Sequence, residues 1–210
     1  MDMRTSRLAI IAVIAVTAVV LPCVANAAGF EITPFAGYTW GGQFSDSMTN
    51  ANLNVKETNN YGIMLDINQD PQSQIELYFS NQSTQLHASQ GVFTGHPLFN
   101  LDIQYYHIGG TYSPSDPGKI RGFLAGSLGA THMVPQGPGL DSLTKFSLSL
   151  GGGVKLYVTD HIGFRLEGRW FGTLFDGSGS AFCANGACAI NVQGSLFSQF
   201  VANAGLIIAF

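Results

Sequence analysis

The side chains that could do chemistry in this sequence are mostly ionised groups set at one parity along alternating segments: Glu31, Asp66, Glu76, Asp102, Arg121, Lys155, Arg165, Glu167 and Arg169. The acids fall mainly in the first half of the chain and the bases in the second. If folding brings the two halves together inside a narrow interior, these groups must pair, because a charge survives out of water only when it is paired or hydrogen-bonded. Such a network is usually structural, and its functional counterpart is a gated polar path or a ligand site within the interior. Serines are plentiful, and His87, His96 and His132 fall in or beside long connections, which raises hydrolysis as a further chemistry. Cys183 and Cys188 form a close pair expected to join as a disulfide, a local staple whose short loop limits its contribution to stability. Two thiols without a nearby histidine make a poor metal set, so neither metal nor cofactor is expected. Gly151-Gly152-Gly153 is followed by neither a helix nor a Lys-Ser/Thr pair and cannot be a phosphate loop; it suits a bend or makes room for a bulky neighbour.

The compartment is written in the first residues. Arg4 and Arg7 precede an apolar run from Leu8 to Leu21, too short for the roughly 18 to 20 residues of a membrane helix, and Ala25-Asn26-Ala27 follows with small residues at the two positions a signal peptidase reads. Cleavage between Ala27 and Ala28 gives a signal peptide over 1–27 and a single domain over 28–210. A lipidated Cys23 is the weaker alternative, since Pro22 stands where that signal wants a small residue. Removing the signal leaves Cys183 and Cys188 as an even pair in an oxidising compartment. The chain carries a net charge of −4 and no basic patch, which argues against nucleic acid. Only 10% of residues are charged and mean hydropathy is +0.20, with no helix-length apolar run after the signal. Alternating membrane strands produce that combination.

Period-two alternation marks eight segments, approximately Phe30 to Trp40, Asn60 to Asn68, Gln74 to Thr84, Phe99 to Ser113, Ile120 to Met133, Leu143 to Thr159, Ile162 to Phe175 and Leu196 to Phe210. Long and short connections alternate between them, so that one end collects every long loop. With the amino terminus in the periplasm the long loops fall outside, which predicts an all-β, eight-stranded antiparallel up-and-down transmembrane β-barrel. One face holds Ile63, Leu65, Leu77, Leu148, Leu150, Leu166 and Ile208 and no charge; the ionised residues take the other. Tyr38, Trp40 and Tyr61 are placed at the outer headgroup level, and Phe164, Phe210 and Tyr157 at the inner one. The fourth segment breaks the pattern: Leu101, Ile103 and Tyr105 suit the lipid face, whereas Tyr106, Ile108 and Tyr112 take the opposite parity. A bulge near Tyr105-Tyr106 would reconcile them. Pro34 is awkward in a closed sheet, because it gives no ladder donor.

The stretch Phe30-Glu31-Ile32-Thr33-Pro34-Phe35-Ala36-Gly37-Tyr38-Thr39-Trp40-Gly41-Gly42 resembles the first strand of the outer-membrane β-barrel domain family, the broad OmpA/OmpX-like group. Tyr61-Gly62-Ile63-Met64-Leu65-Asp66, Gln74-Ile75-Glu76-Leu77-Tyr78 and Tyr106-His107-Ile108-Gly109-Gly110-Thr111-Tyr112 are similar to its second, third and fourth strands. The alternating end of the chain, Phe200, Leu206, Ile208 and the terminal Phe210, resembles the family's assembly signal. The resemblance implies the cell outer membrane, contact with its lipid and lipopolysaccharide, and delivery by periplasmic chaperones to the outer-membrane assembly machinery. It carries no catalytic signature.

Eight strands enclose an interior just wide enough for side chains to fill it. The favoured function is therefore non-enzymatic: a monomer with an envelope structural role, or surface binding through the long outer loops. The alternatives are a narrow OmpW-like conduit for a small solute, which needs an apolar lumen and a lateral exit, and an enzyme acting on envelope lipids. The sequence lacks the His-x-Ser-Asn arrangement of the lipid A deacylases.

Overall fold

The structure, a computed structural model, describes residues 29–45, 52–88, 97–114, 118–136, 141–175, 179–184, 187–192 and 196–210. The signal peptide with its Ala27-Ala28 junction, and His96, lie outside the described residues. The strands are β1 (Phe30–Gly41), β2 (Gln43–Ser45), β3 (Asn52–Val55), β4 (Thr58–Asn68), β5 (Ser73–Ala88), β6 (Pro97–Tyr112), β7 (Ile120–Gln136), β8 (Leu143–Tyr157), β9 (Ile162–Leu174), β10 (Gly179–Ala184), β11 (Ala187–Val192) and β12 (Leu196–Ala209). Eight of them close into one antiparallel ring, each of β4 to β9 beside its chain neighbour and β1 joining β4 to β12. Closure leaves the ring no edge, so its backbone groups are satisfied without water, as a bilayer demands.

The expected segments lie within a few residues of these eight strands. Sequence alternation missed β2 and β3, which extend the wall above β1 and β4, and the β10–β11 hairpin, whose register sets Cys183 opposite Cys188. At the inner end the turns are tight: Asp70 accepts backbone hydrogen bonds from Gln72 and Ser73 at 2.8 and 2.7 Å, and Thr159 accepts one from Ile162 at 3.0 Å. Side-chain acceptors of this kind replace the ladder where the chain reverses. Pro34 is accommodated by a gap. The β1–β12 ladder passes from Ile32↔Ile208 to Phe35↔Gly205 and is interrupted at Thr33 and Pro34, where the missing donor would have stood.

The wall inverts the usual arrangement of a soluble protein. Ile108, Leu124, Leu128, Phe146, Leu150, Phe164, Leu166 and Phe200 are about half exposed or more on the outside, while Arg165, Arg169 and Lys155 are among the largest fully buried side chains. Only a hydrocarbon surround makes this favourable. Pairs such as Tyr38 with Trp40 and Trp40 with Phe200 mark the top of the apolar belt. Tyr157 does not belong to the inner girdle expected of it. Its hydroxyl reaches inward to Glu31 Oε1 at 2.5 Å.

Toward the outer end the polarity changes over, and this resolves the fourth segment. Leu101, Ile103 and Tyr105 are buried inside the barrel, not on the lipid face, and no bulge occurs at Tyr105-Tyr106; β6 keeps one parity and an unbroken register there with both β5 and β7. What changes is the surroundings. Above Tyr106 the outward positions become polar and bond to each other: Gln104 accepts from Tyr106 at 2.9 Å, Asp102 from Gln136 at 2.6 Å and Asn100 from Gln85 at 3.2 Å. Below that level the outside is oil and the inside carries the charges. Above it the outside is water, so the inside takes the apolar residues, here Val55, Leu86, Leu101, Ile103, Met133, Phe175 and Phe197.

Candidate functional site

The lumen is the place where the chemistry-bearing side chains meet, and it is filled from the inner end upward. Lys155 on β8 donates to Glu31 on β1 at 2.6 Å, to Asp66 on β4 at 3.2 Å and to Gln74 on β5 at 2.6 Å. Arg165 on β9 spans the barrel, donating to Asp66 at 2.9 Å and to Glu76 at 2.6 Å, and its Nε meets Glu167 two residues on at 2.7 Å. Arg169 holds Glu76 at 2.7 Å and bonds Glu167 as well. Each of these ionised groups is at least 95% out of solvent. Two guanidinium groups also lie over rings, Arg165 over Phe123 at 4.4 Å and Arg169 over Tyr78 at 4.6 Å, which uses their apolar faces.

Glycine makes this packing possible. A Cβ on Gly151 would lie 2.9 Å from the Cα of Arg169, and one on Gly153 equally near the Cα of Glu167. The two glycines turn toward β9 and leave lumen volume for its large charged residues.

Two of the expected network residues stand apart. Asp102 faces outward, on the water-exposed wall above the belt, for the same reason that its neighbours Leu101 and Ile103 face inward. Arg121 lies at the inner mouth with its Nε on the Gly118 carbonyl at 3.0 Å and its guanidinium 4.8 Å from the Tyr157 ring centroid. It borders a polar cavity of about 470 Å³ that also touches Asn68, Asp70, Gln74 and Lys155. Asp70, in the turn beneath the barrel, has its carboxyl held below the usual carboxylate range by the backbone N–H of Gln72 and that of Ser73.

Above the ions comes a polar layer that sequence reasoning did not find. His107 bridges Ser127 at 3.0 Å and Ser147 at 2.8 Å, and Ser127 meets Ser149 at 2.6 Å. Tyr105 donates to Gln199 at 2.7 Å, which in turn donates to Gln82 at 3.2 Å. Phe171 stacks on Tyr105 with ring centroids 4.2 Å apart. The signal was available, since His107 shares the parity of Tyr105, but the reversal of polarity along β6 concealed which parity faces in. A His-Ser pair buried among packed side chains gives no room for a substrate. His132, the one histidine weighed for hydrolysis whose side chain is described, stands on the outer wall bonded to Thr144 at 2.8 Å. Among the described residues no group of three or more His, Cys, Asp or Glu side chains could hold a metal.

No protein family matches the sequence, and no curated protein does. Solved structures do. The chain is similar to the Neisserial surface protein A, at 12% identity and a TM-score of 0.56, over 88% of this chain and 100% of that one. It is similar to the outer membrane protein OprG from Pseudomonas aeruginosa at 14% identity and a TM-score of 0.58, over 88% and 96% of the two chains. The outer membrane protein AlkL shows 10% identity and a TM-score of 0.58, over 87% of this chain and 90% of that one. At these identities the likeness is one of fold, and the fold is that of the small outer-membrane β-barrels.

Proposed function

We propose that this chain is a non-enzymatic protein of the cell outer membrane, a barrel with a closed lumen that serves envelope integrity or surface binding through its long outer connections. The observation that carries this reading is the double closure of the interior. An ion network linking Arg165 and Arg169 to Asp66, Glu76 and Glu167 fills the membrane level, and an apolar cluster around Leu101, Ile103 and Phe197 fills the level above. Water-filled passage would have to break buried ion pairs or wet a packed apolar core. In planar bilayers the purified protein is expected to show no reproducible unitary openings. Regular openings of the wild type would sink the closed-lumen reading.

Several parts of the proposal go with it. Residues 1–27 act as a signal removed before Ala28; Phe200, Leu206, Ile208 and Phe210 present the last strand to the assembly machinery after chaperone delivery; the barrel is a monomer in lipid and lipopolysaccharide. Cys183 and Cys188, opposed in the β10–β11 register, form a disulfide, since directly opposed strand positions bring Cα atoms within bridging range. The second reading, a narrow conduit for a small apolar solute, draws on the apolar outer part of the lumen. Uptake of such a solute into vesicles, undiminished by substitutions that enlarge Ile103, would count against it. An altered acyl pattern of lipid A in cells making the protein would overturn the non-enzymatic reading.

A further inference from the structure

The ring of strands has one loose place. Gly41 and Gly42 have φ of +82° and +103°, a region that L side chains rarely enter, and there the chain leaves β12. The β1–β12 ladder ends at Gly41↔Gln199, whereas β12 stays paired with β9 as far as Leu196. β2, which continues from β1, pairs with β3 and forms no ladder with β12. Where they part lies a notch of about 500 Å³, lined by Gly41, Gly42, Val55, Glu57, Leu196 and Ser198 among others. It sits at the top of the apolar belt, because Trp40 precedes it and Ser198 accepts the Trp170 indole N–H at 2.5 Å. Its inner end is shut. Gly42 packs so close to the Phe197 ring and to Val55 that an added Cβ would stand 3.0 Å from each, and Phe197 is wholly buried.

We propose that this notch is a binding site for a single-chain amphiphile whose head group donates hydrogen bonds, an alkyl ammonium or an alkyl alcohol. Leu196, about half exposed on the outer wall, offers the tail apolar surface at the depth where a molecule dissolved in the outer leaflet presents its head, and the buried Val55 closes the floor. Glu57 supplies a carboxylate acceptor, which pairs with an ammonium and repels a sulfate or phosphate. Among the described residues that line the notch there is no lysine or arginine, and Glu57 is the one ionisable group beside the neutral Asn54 and Ser198.

The chain's two tryptophans, Trp40 and Trp170, flank the notch and report on it directly. Folded protein in phosphatidylcholine nanodiscs would be titrated with dodecyl probes brominated at the chain end, bearing ammonium, hydroxyl or sulfate heads. Saturable quenching is expected for ammonium and hydroxyl, with ammonium exceeding sulfate by about three-fold, the range of one exposed ion pair. Glu57→Gln should bring the ammonium probe down to the level of the alcohol. Ser198→Phe, or Leu196→Phe should the first fail to fold, should abolish saturation for the ammonium and hydroxyl probes, with heat-shifted gel migration confirming the barrel in each variant. Quenching that rises without saturation, shows no head preference or ignores these substitutions overturns the proposal.

Discussion

Arg165 and Asp66 meet across the barrel, the guanidinium Nη1 on β9 donating to the carboxylate Oδ2 on β4 at 2.9 Å with both groups out of solvent. Removing either partner leaves a charge buried and uncompensated. Arg165→Met is therefore expected to destabilise the barrel by about 3–5 kcal/mol. Urea unfolding in lipid vesicles measures this, and a loss below 1 kcal/mol would mean the network is hydrated and the lumen open.

The reversal of polarity along β5 to β7 predicts opposite tolerances a few residues apart. Leu128→Arg places a cation in the apolar belt and should cost about 2–4 kcal/mol. Gln85→Lys, on the polar wall above, should stay within about 0.5 kcal/mol. Ile103→Ala, inside that upper wall, should cost about 2–5 kcal/mol as a cavity in an apolar core. Equal costs at Leu128 and Gln85 would place the belt elsewhere.

Among the glycines, Gly151→Ala should destabilise by about 1–3 kcal/mol, because its Cβ would press on the backbone of Gly168 and Arg169. Gly122, with nothing within 4 Å of an added Cβ, should accept alanine with little change. Paired melting or unfolding curves of the two variants distinguish crowding from a general loss of strand flexibility.

Much of this was legible in the sequence, and the parts that were not share a cause. Alternation identified all eight barrel strands and set Glu31, Asp66, Glu76, Lys155, Arg165, Glu167 and Arg169 on one shared face, because inside the membrane level one parity is oil and the other is not; the sorting of long and short loops and the carboxyl end then made that face the inner one. It failed at Leu101, Asp102 and Ile103, where the strand leaves the membrane and the same alternation takes the opposite meaning. Periodicity reports which residues share a face; it carries no mark of the height at which the outside stops being lipid. β2 and β3 escaped notice because strands of three or four residues show too few repeats for a period to emerge.

The inner turn has a pH dependence of definite sign. Asp70 is held below its ordinary value by backbone donors, so the folded turn favours the carboxylate. Its contribution is complete above about pH 4, the value of a free aspartate, and is lost as pH falls through the lower folded value. Chemical shifts of the Gln72 and Ser73 amides should follow that single titration. A midpoint at or above the free value would show that the turn is not formed by these bonds.

The change of polarity halfway up the wall has a consequence for where the molecule rests. A cylinder with a uniformly greasy exterior could bob in a bilayer, riding higher or lower as thickness varied. Here a downward displacement would drag Asp102, Gln136 and Asn100 into oil, and an upward one would lift Leu128 and Phe146 into water. Either excursion is penalised, so the waterline is fixed against the protein itself, and a thinner or thicker bilayer must deform to meet it.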